Sequence, residues 1–125
     1  MANINLWAAW IGILLGLASG TLQGLCFHRD NWLGGYGSWP RRLMRLGHIS
    51  FFGIAFLNFS YANSVMLLGP ASHVPLASAL LLAGAVLMPF VCYLAAWRKP
   101  LRHLFALPVL SLLGAGIAFI AGGLS

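Results

Sequence analysis

The chain almost lacks acid. One aspartate, Asp30, and no glutamate stand against seven Lys/Arg in 125 residues. A single carboxylate side chain excludes paired-carboxylate hydrolysis within the chain. It leaves nothing to hold a magnesium ion beside a nucleotide. Asp30 falls in a polar loop, so the intramembrane carboxylate that proton-coupled antiport uses is missing as well. Charge of either sign is scarce: 6% of residues are charged and 61% are hydrophobic, where soluble domains carry about 25% charged residues. A water-facing surface cannot be built from so few ions. A soluble globular chain is therefore excluded, and the long apolar runs also exclude disorder, a coiled coil and a nucleic-acid module, in spite of a pI near 10.4. Cysteine is scarce too. Cys26 and Cys92 stand singly, with no C-x-x-C, so neither a disulfide framework nor a vicinal thiol pair is available, and both read as buried free thiols.

What is present is apolar sequence in long runs, with a mean hydropathy of +0.90. Crossing ~30 Å of hydrocarbon takes about 20 apolar residues as a helix. Four such runs occur, over approximately 6–27, 48–68, 76–97 and 104–124, and they nearly exhaust the chain. They are rich in Leu, Ala and Gly on all sides rather than alternating, which argues against outer-membrane strands. The sequence therefore predicts an all-α membrane protein, a single four-helix bundle with short loops.

The basic residues orient it. Arg29, Arg41, Arg42 and Arg45 lie between the first and second runs, and Arg98, Lys99 and Arg102 between the third and fourth. The connection 69–73 has none. After four crossings the two basic connections share a side, and the positive-inside rule puts them in the cytoplasm, with both termini outside, in a bacterial-type inner membrane. Residues 1–5 lack the positive region of a secretory signal, so the first run is expected to be a retained span.

Within the spans, small residues mark close-packing faces. Ala8, Gly12, Gly16, Gly20 and Gly24 recur every four residues in the first run, and Gly114, Ala118 and Gly122 offer a matching face in the fourth. Ala79 and Ala83 do so in the third. Such faces let another helix backbone, or a flat pigment or cofactor ring, approach closely. The second run carries Asn58, Ser60, Tyr61, Asn63 and Ser64, polar groups that in hydrocarbon need partners across helices. Pro89 and Pro108 are positioned to kink the third and fourth spans.

The connection from His28 to Gly47 mixes aromatics, glycines and arginines. Trp32, Tyr36 and Trp39 suit the headgroup layer, and Arg41, Arg42, Arg45, Arg98, Lys99 and Arg102 are expected to reach lipid phosphates or partner carboxylates. Gly34-Gly35-Tyr36-Gly37 lacks the Lys and Ser/Thr of a phosphate-binding loop. His28, His48 and His103 fall on one side of the membrane, where two facing imidazoles beside glycines would suit a b-type haem, with arginines near its propionates. If helical, 41–48 sets Arg41, Arg45 and His48 on one face. The segment Arg41 to His48 superficially resembles the arginine-and-histidine segment of membrane-associated glutathione-metabolising enzymes, which are also four-helix proteins. The asparagine and glutamate those enzymes need beside it are absent, so the resemblance assigns no activity. Fluoride channels and small multidrug transporters share the size but not the motifs.

A chain with almost no acid and minimal loops has little catalytic equipment and much close-packing surface. The expected role is a small noncatalytic subunit that stabilises a larger membrane complex, an electron-transfer assembly in the leading form. Its expected partners are membrane lipids and other integral membrane subunits, with no nucleic acid and no metal site. The alternatives are a haem-carrying electron carrier, and a small-solute or lipid transporter acting as a homo-oligomer. For orientation, a reporter fused after Ser125 is expected to report a non-cytoplasmic location; cytoplasmic activity of that fusion would refute the charge-based topology.

Overall fold

The computed structural model describes residues 3–125 and is helical, with no strand among the described residues. Its long helices are α1 (Asn3–Phe27), α2 (Trp39–Leu68), α3 (Pro75–Trp97) and α4 (Ala106–Gly122). Short 3-10 segments occupy Trp32–Gly34, Pro70–Ser72 and Lys99–Phe105. With the last counted as the lead-in to α4, all four helices are long and apolar enough to cross a membrane.

The largest departure from the expected spans is in α2, which begins at Trp39 rather than near His48. Local chemistry explains it. Ser38 is an extended N-cap whose side chain accepts from the Arg41 N–H, and Pro40 sits in the first turn, where a missing N–H costs nothing. At 30 residues α2 is about 45 Å long, against ~30 Å of hydrocarbon. The excess accommodates the arginine-bearing turns outside the apolar layer. The helix ends at Gly69, whose φ of +97° disfavours any side chain and whose N–H closes on the Val65 carbonyl at 2.9 Å. Pro75 then opens α3. Pro89 lies inside α3 and removes one rung of its ladder, whereas Pro108 falls in the first turn of α4, where helices tolerate it.

The helices pack in chain order. α1 lies on α2, α2 on α3 and α3 on α4, with a shorter line of contact between α1 and α3. α1 and α4 are the ends of this row and scarcely meet. The glycine series of α1 faces α2. A Cβ on Gly12 would stand 3.1 Å from the Ala55 Cβ, one on Gly16 2.7 Å from the Phe52 ring, and one on Gly20 2.5 Å from the His48 ring. The close approach stops there, since nothing lies within 4 Å of a Cβ built on Gly24. The small face of α4 meets α3 rather than α1: Gly114 is against Leu80, Gly122 against Val74, and Ala118 packs on the apolar cluster of Tyr61, Ala62, Val65, Ala77, Leu81 and Ala115. In α3 the fully buried small residue near its start is Ala77; Ala79 is exposed.

Two glycines outside the regular series are as tightly engaged. Gly47 lies against Tyr93 and Cys92, and Gly84 against Leu112. These contacts generate a stability prediction. Gly16→Leu should lower stability by about 1–3 kcal/mol through overpacking against Phe52, whereas Gly24→Leu should leave it nearly unchanged. Thermal unfolding of the two variants in detergent checks this, and equal midpoints would contradict the assigned packing face.

Candidate functional site

Polar side chains in this interior are used to tie helices together. Asn5 of α1 donates from Nδ2 to Asn58 Oδ1 of α2 at 2.8 Å, and its own Oδ1 accepts from Ser78 Oγ of α3 at 2.6 Å. Asn58 Nδ2 donates to the Ile54 carbonyl at 3.1 Å. Both asparagines are fully buried. Toward the same end, the Tyr61 hydroxyl lies 2.8 Å from His73 Nδ1, accepts from the Val74 N–H at 3.0 Å, and packs edge-on against Phe119. Ser111 Oγ donates to the Leu80 carbonyl at 2.7 Å, joining α4 to α3. The polar residues of the second span are thus divided. Asn58 and Tyr61 bond across helices, while Ser64 bonds back to Ser60 on its own helix. Asn5 was not legible as their partner, because it falls in the short polar stretch before the first apolar run.

The opposite end is organised by Arg41, which is 2% exposed. Expected to reach lipid or a partner, it instead turns inward. Its Nη1 donates to the Arg29 carbonyl and its Nη2 to the Phe27 carbonyl, each at 3.2 Å. Phe27 is the last residue of α1, so the guanidinium satisfies a carbonyl that the helix end leaves free and sits at the negative pole of the helix dipole. The Phe27 ring centroid is 4.6 Å from Cζ, with Trp32 and Tyr36 at 5.7 and 5.9 Å. A cation held by carbonyl dipoles and ring faces needs no carboxylate, which suits a chain with one. The buried Nε has no partner. Arg45 Nη1 donates to the Tyr36 carbonyl at 2.9 Å and its Cζ lies 4.1 Å from that ring.

The remaining cations stand outside. Arg42 and Lys99 lie over Trp39, and Arg98 over Trp97. Trp39 is itself fixed, its indole N–H donating to the Ala95 carbonyl at 2.6 Å. Arg102 is exposed and donates to the Lys99 carbonyl. Leu33 has a φ of +54°, an uncommon conformation for a branched residue, held by a 2.8 Å bond from Ser38 Oγ to its carbonyl.

The three histidines stand apart. His28 is exposed beyond the end of α1, its Nδ1 2.8 Å from the Leu25 carbonyl. His48 lies well inside α2, with Nδ1 3.2 Å from Ser19 Oγ and its ring edge-on to Phe52. His28 is eight residues past Gly20, the glycine that His48 touches, with nearly two further turns of α1 between them. His103 is exposed on the 3-10 segment that packs on α3 and α4. His48 lines a cleft of about 220 Å³ with Gly20, Gly24 and Arg45, below the ~300–1,000 Å³ usual for cofactor sites; His28 and His103 do not line it. Among the described residues no group of three or more His, Cys, Asp or Glu is placed to hold a metal ion.

The larger spaces adjoin as a lateral groove over α2, walled by α1 and α3 in two of its parts and by Leu33 and α3 in the third. Its widest part, about 500 Å³, is lined by Ile11, Leu15, Phe51, Val86, Phe90 and Tyr93 among others. Gln23 Nε2 bridges the walls by donating to the Tyr93 hydroxyl at 2.6 Å. The chain matches no family model, no curated protein and no solved structure.

The asparagine relay yields a ranking. Asn58→Leu strands the Asn5 Nδ2 donor and removes every polar bond of Asn58, and should destabilise by about 1–3 kcal/mol, more than Ser78→Ala, which strands only Asn5 Oδ1. Unfolding midpoints in detergent read the order, and the reverse order would remove Asn58 from the centre of the relay.

Proposed function

We propose that the chain is a small noncatalytic integral membrane subunit that packs into and stabilises a larger membrane assembly, with its basic connections in the cytoplasm and both termini on the other side of a bacterial-type inner membrane. The observation that carries this reading is the internal use of the polar groups. Asn58 and Tyr61, buried polar groups of the second span, are engaged in the bonds from Asn5 to Asn58 and between Tyr61 and His73, and Asn5 is held in turn by Ser78. A transport site uses polar groups that a substrate can reach, and Asn58 and Tyr61 are instead bonded inside the bundle. Close-approach positions remain on the outside. Gly24, Gly53 and Gly116 are exposed on three different helices, with open space where a side chain would be, and such positions admit a neighbouring backbone.

No redox centre is assigned to this role. The histidine, arginine and glycine combination that favours an electron-transfer setting in the sequence is spread over separate elements, and Arg41, its most buried arginine, is committed to the end of α1.

The test is gentle extraction from the native membrane, followed by identification of co-purifying chains and a reduced-minus-oxidised absorption spectrum of the same fraction. Stoichiometric partner subunits are expected, with no haem band that disappears in a His48→Ala variant. Purification as a lone oligomer that moves a solute across liposomes would replace this reading with the transporter one.

A further inference from the structure

The groove over α2 ends at Pro40 and Trp97, next in the chain to Trp39 and Arg98, where the exposed cations of this end lie over Trp39 and Trp97. Its widest part shares Leu15, Phe51 and Tyr93 with a second part of about 360 Å³. That part shares Met44 and Tyr93 with a third, of about 380 Å³, reaching Pro40 and Trp97. Along α3 the lining runs from Leu82 to Trp97, about 22 Å at the helical rise. Half of a bilayer of ~40–45 Å, headgroups included, is the same ~20–22 Å. The groove is as long as one leaflet.

At its interfacial end, Lys99 Nζ stands 5.1 Å and Arg42 Cζ 5.8 Å from the Trp39 ring centroid, and Arg98 Cζ stands 4.9 Å from that of Trp97. All three are exposed, and the chain has one carboxylate side chain to set against its seven Lys/Arg. One helical turn inward from Trp97 is Tyr93. It lines all three parts of the groove, and its hydroxyl accepts from Gln23 at 2.6 Å. Leu33 lines the mouth from its left-handed backbone position. From the surface inward the order is cations, a hydroxyl, then apolar wall.

We propose that the groove binds one anionic phospholipid from the leaflet on the basic side. Its phosphate sits among Arg42, Arg98 and Lys99, an ester carbonyl accepts from Tyr93, and one acyl chain lies along α2 between α1 and α3. A partner helix is a poorer occupant. Its diameter is about 10–12 Å with side chains, whereas the two walls come close enough for Gln23 to reach Tyr93. The site stands independently of the accessory role, because it concerns what this chain holds rather than what the chain joins.

Native mass spectrometry of the purified protein in detergent, with equimolar dioleoyl phosphatidylglycerol and dioleoyl phosphatidylcholine added, tests it. One phosphatidylglycerol per chain is expected in preference. Lys99→Gln should lower its retention about fivefold, while Arg29→Gln, the same charge change at a residue that lies over neither Trp39 nor Trp97, should not. Ala18→Phe, at an exposed wall position, should lower retention of both lipids. Circular dichroism and unfolding midpoints like those of the unaltered protein establish that the variants are folded. Equal retention of the two lipids, an equal loss with Arg29→Gln, or full retention with Ala18→Phe overturns the proposal. So does dihexanoyl phosphatidylglycerol competing as well as the dioleoyl form, or a lipid-free dimer in place of the lipid complex.

Discussion

Hydrocarbon supplies neither water to satisfy a polar group nor a hydrophobic drive to bring two helices together. Under that constraint a bundle is held by close backbone approach and by a few polar pairs, and this chain uses both at the same interfaces. Where α1 meets α2, Gly12, Gly16 and Gly20 bring the backbones together and Asn5 bonds to Asn58. Where α2 meets α3, Gly47 lies against Tyr93 and Asn58 sits opposite Leu81. Small residues set the distance. The amides then fix rotation and axial position, because a hydrogen bond tolerates less displacement than an apolar contact.

The same constraint accounts for the handling of charge. With one carboxylate in the chain, an inward-facing arginine has little prospect of an ion pair. Arg41 is stabilised by the two carbonyls at the end of α1 and by three ring faces. The aromatics of the first basic connection therefore have an internal task beside any affinity for headgroups. They wall in the guanidinium, leaving Arg42, Arg98 and Lys99 on the outside of Trp39 and Trp97.

The helical class and the number of spans could be read from apolar run length, since that signal is additive over about 20 residues and survives any packing arrangement. Three of the four long helices start within three residues of their apolar runs for the same reason. The second, α2, does not, because Arg41, Arg42 and Arg45 interrupt the hydropathy while Ser38 and Pro40 start a helix whatever its polarity. The four-residue spacing of Gly12, Gly16 and Gly20 indicated a close-packed face, but which helix covers it depends on the order of packing. Local periodicity carries no such information: the small face of α4 looks complementary to that of α1, yet it packs on α3. Least legible were the long-range pairs. Asn5 with Asn58 and Gln23 with Tyr93 join residues far apart in the chain, and neither sequence neighbourhood announces its partner. Sequence places His28, His48 and His103 on one membrane side, a coordinate that carries neither depth nor position around the bundle.

The clasp that Arg41 makes on the end of α1 bears on how the protein is made. The residues it joins are close in sequence, and the glycine contacts of α1 are all with α2. The first hairpin therefore contains nearly everything that holds it together before α3 has left the ribosome. Contacts of α4 are likewise mainly with α3, the helix synthesised just before it. Assembly of this kind proceeds by adding neighbours in the order of translation, with short loops to close and few distant partners to await. The bond from Ser78 to Asn5 is then a late fastening, formed when the second hairpin docks and finds the amide of the first already in place.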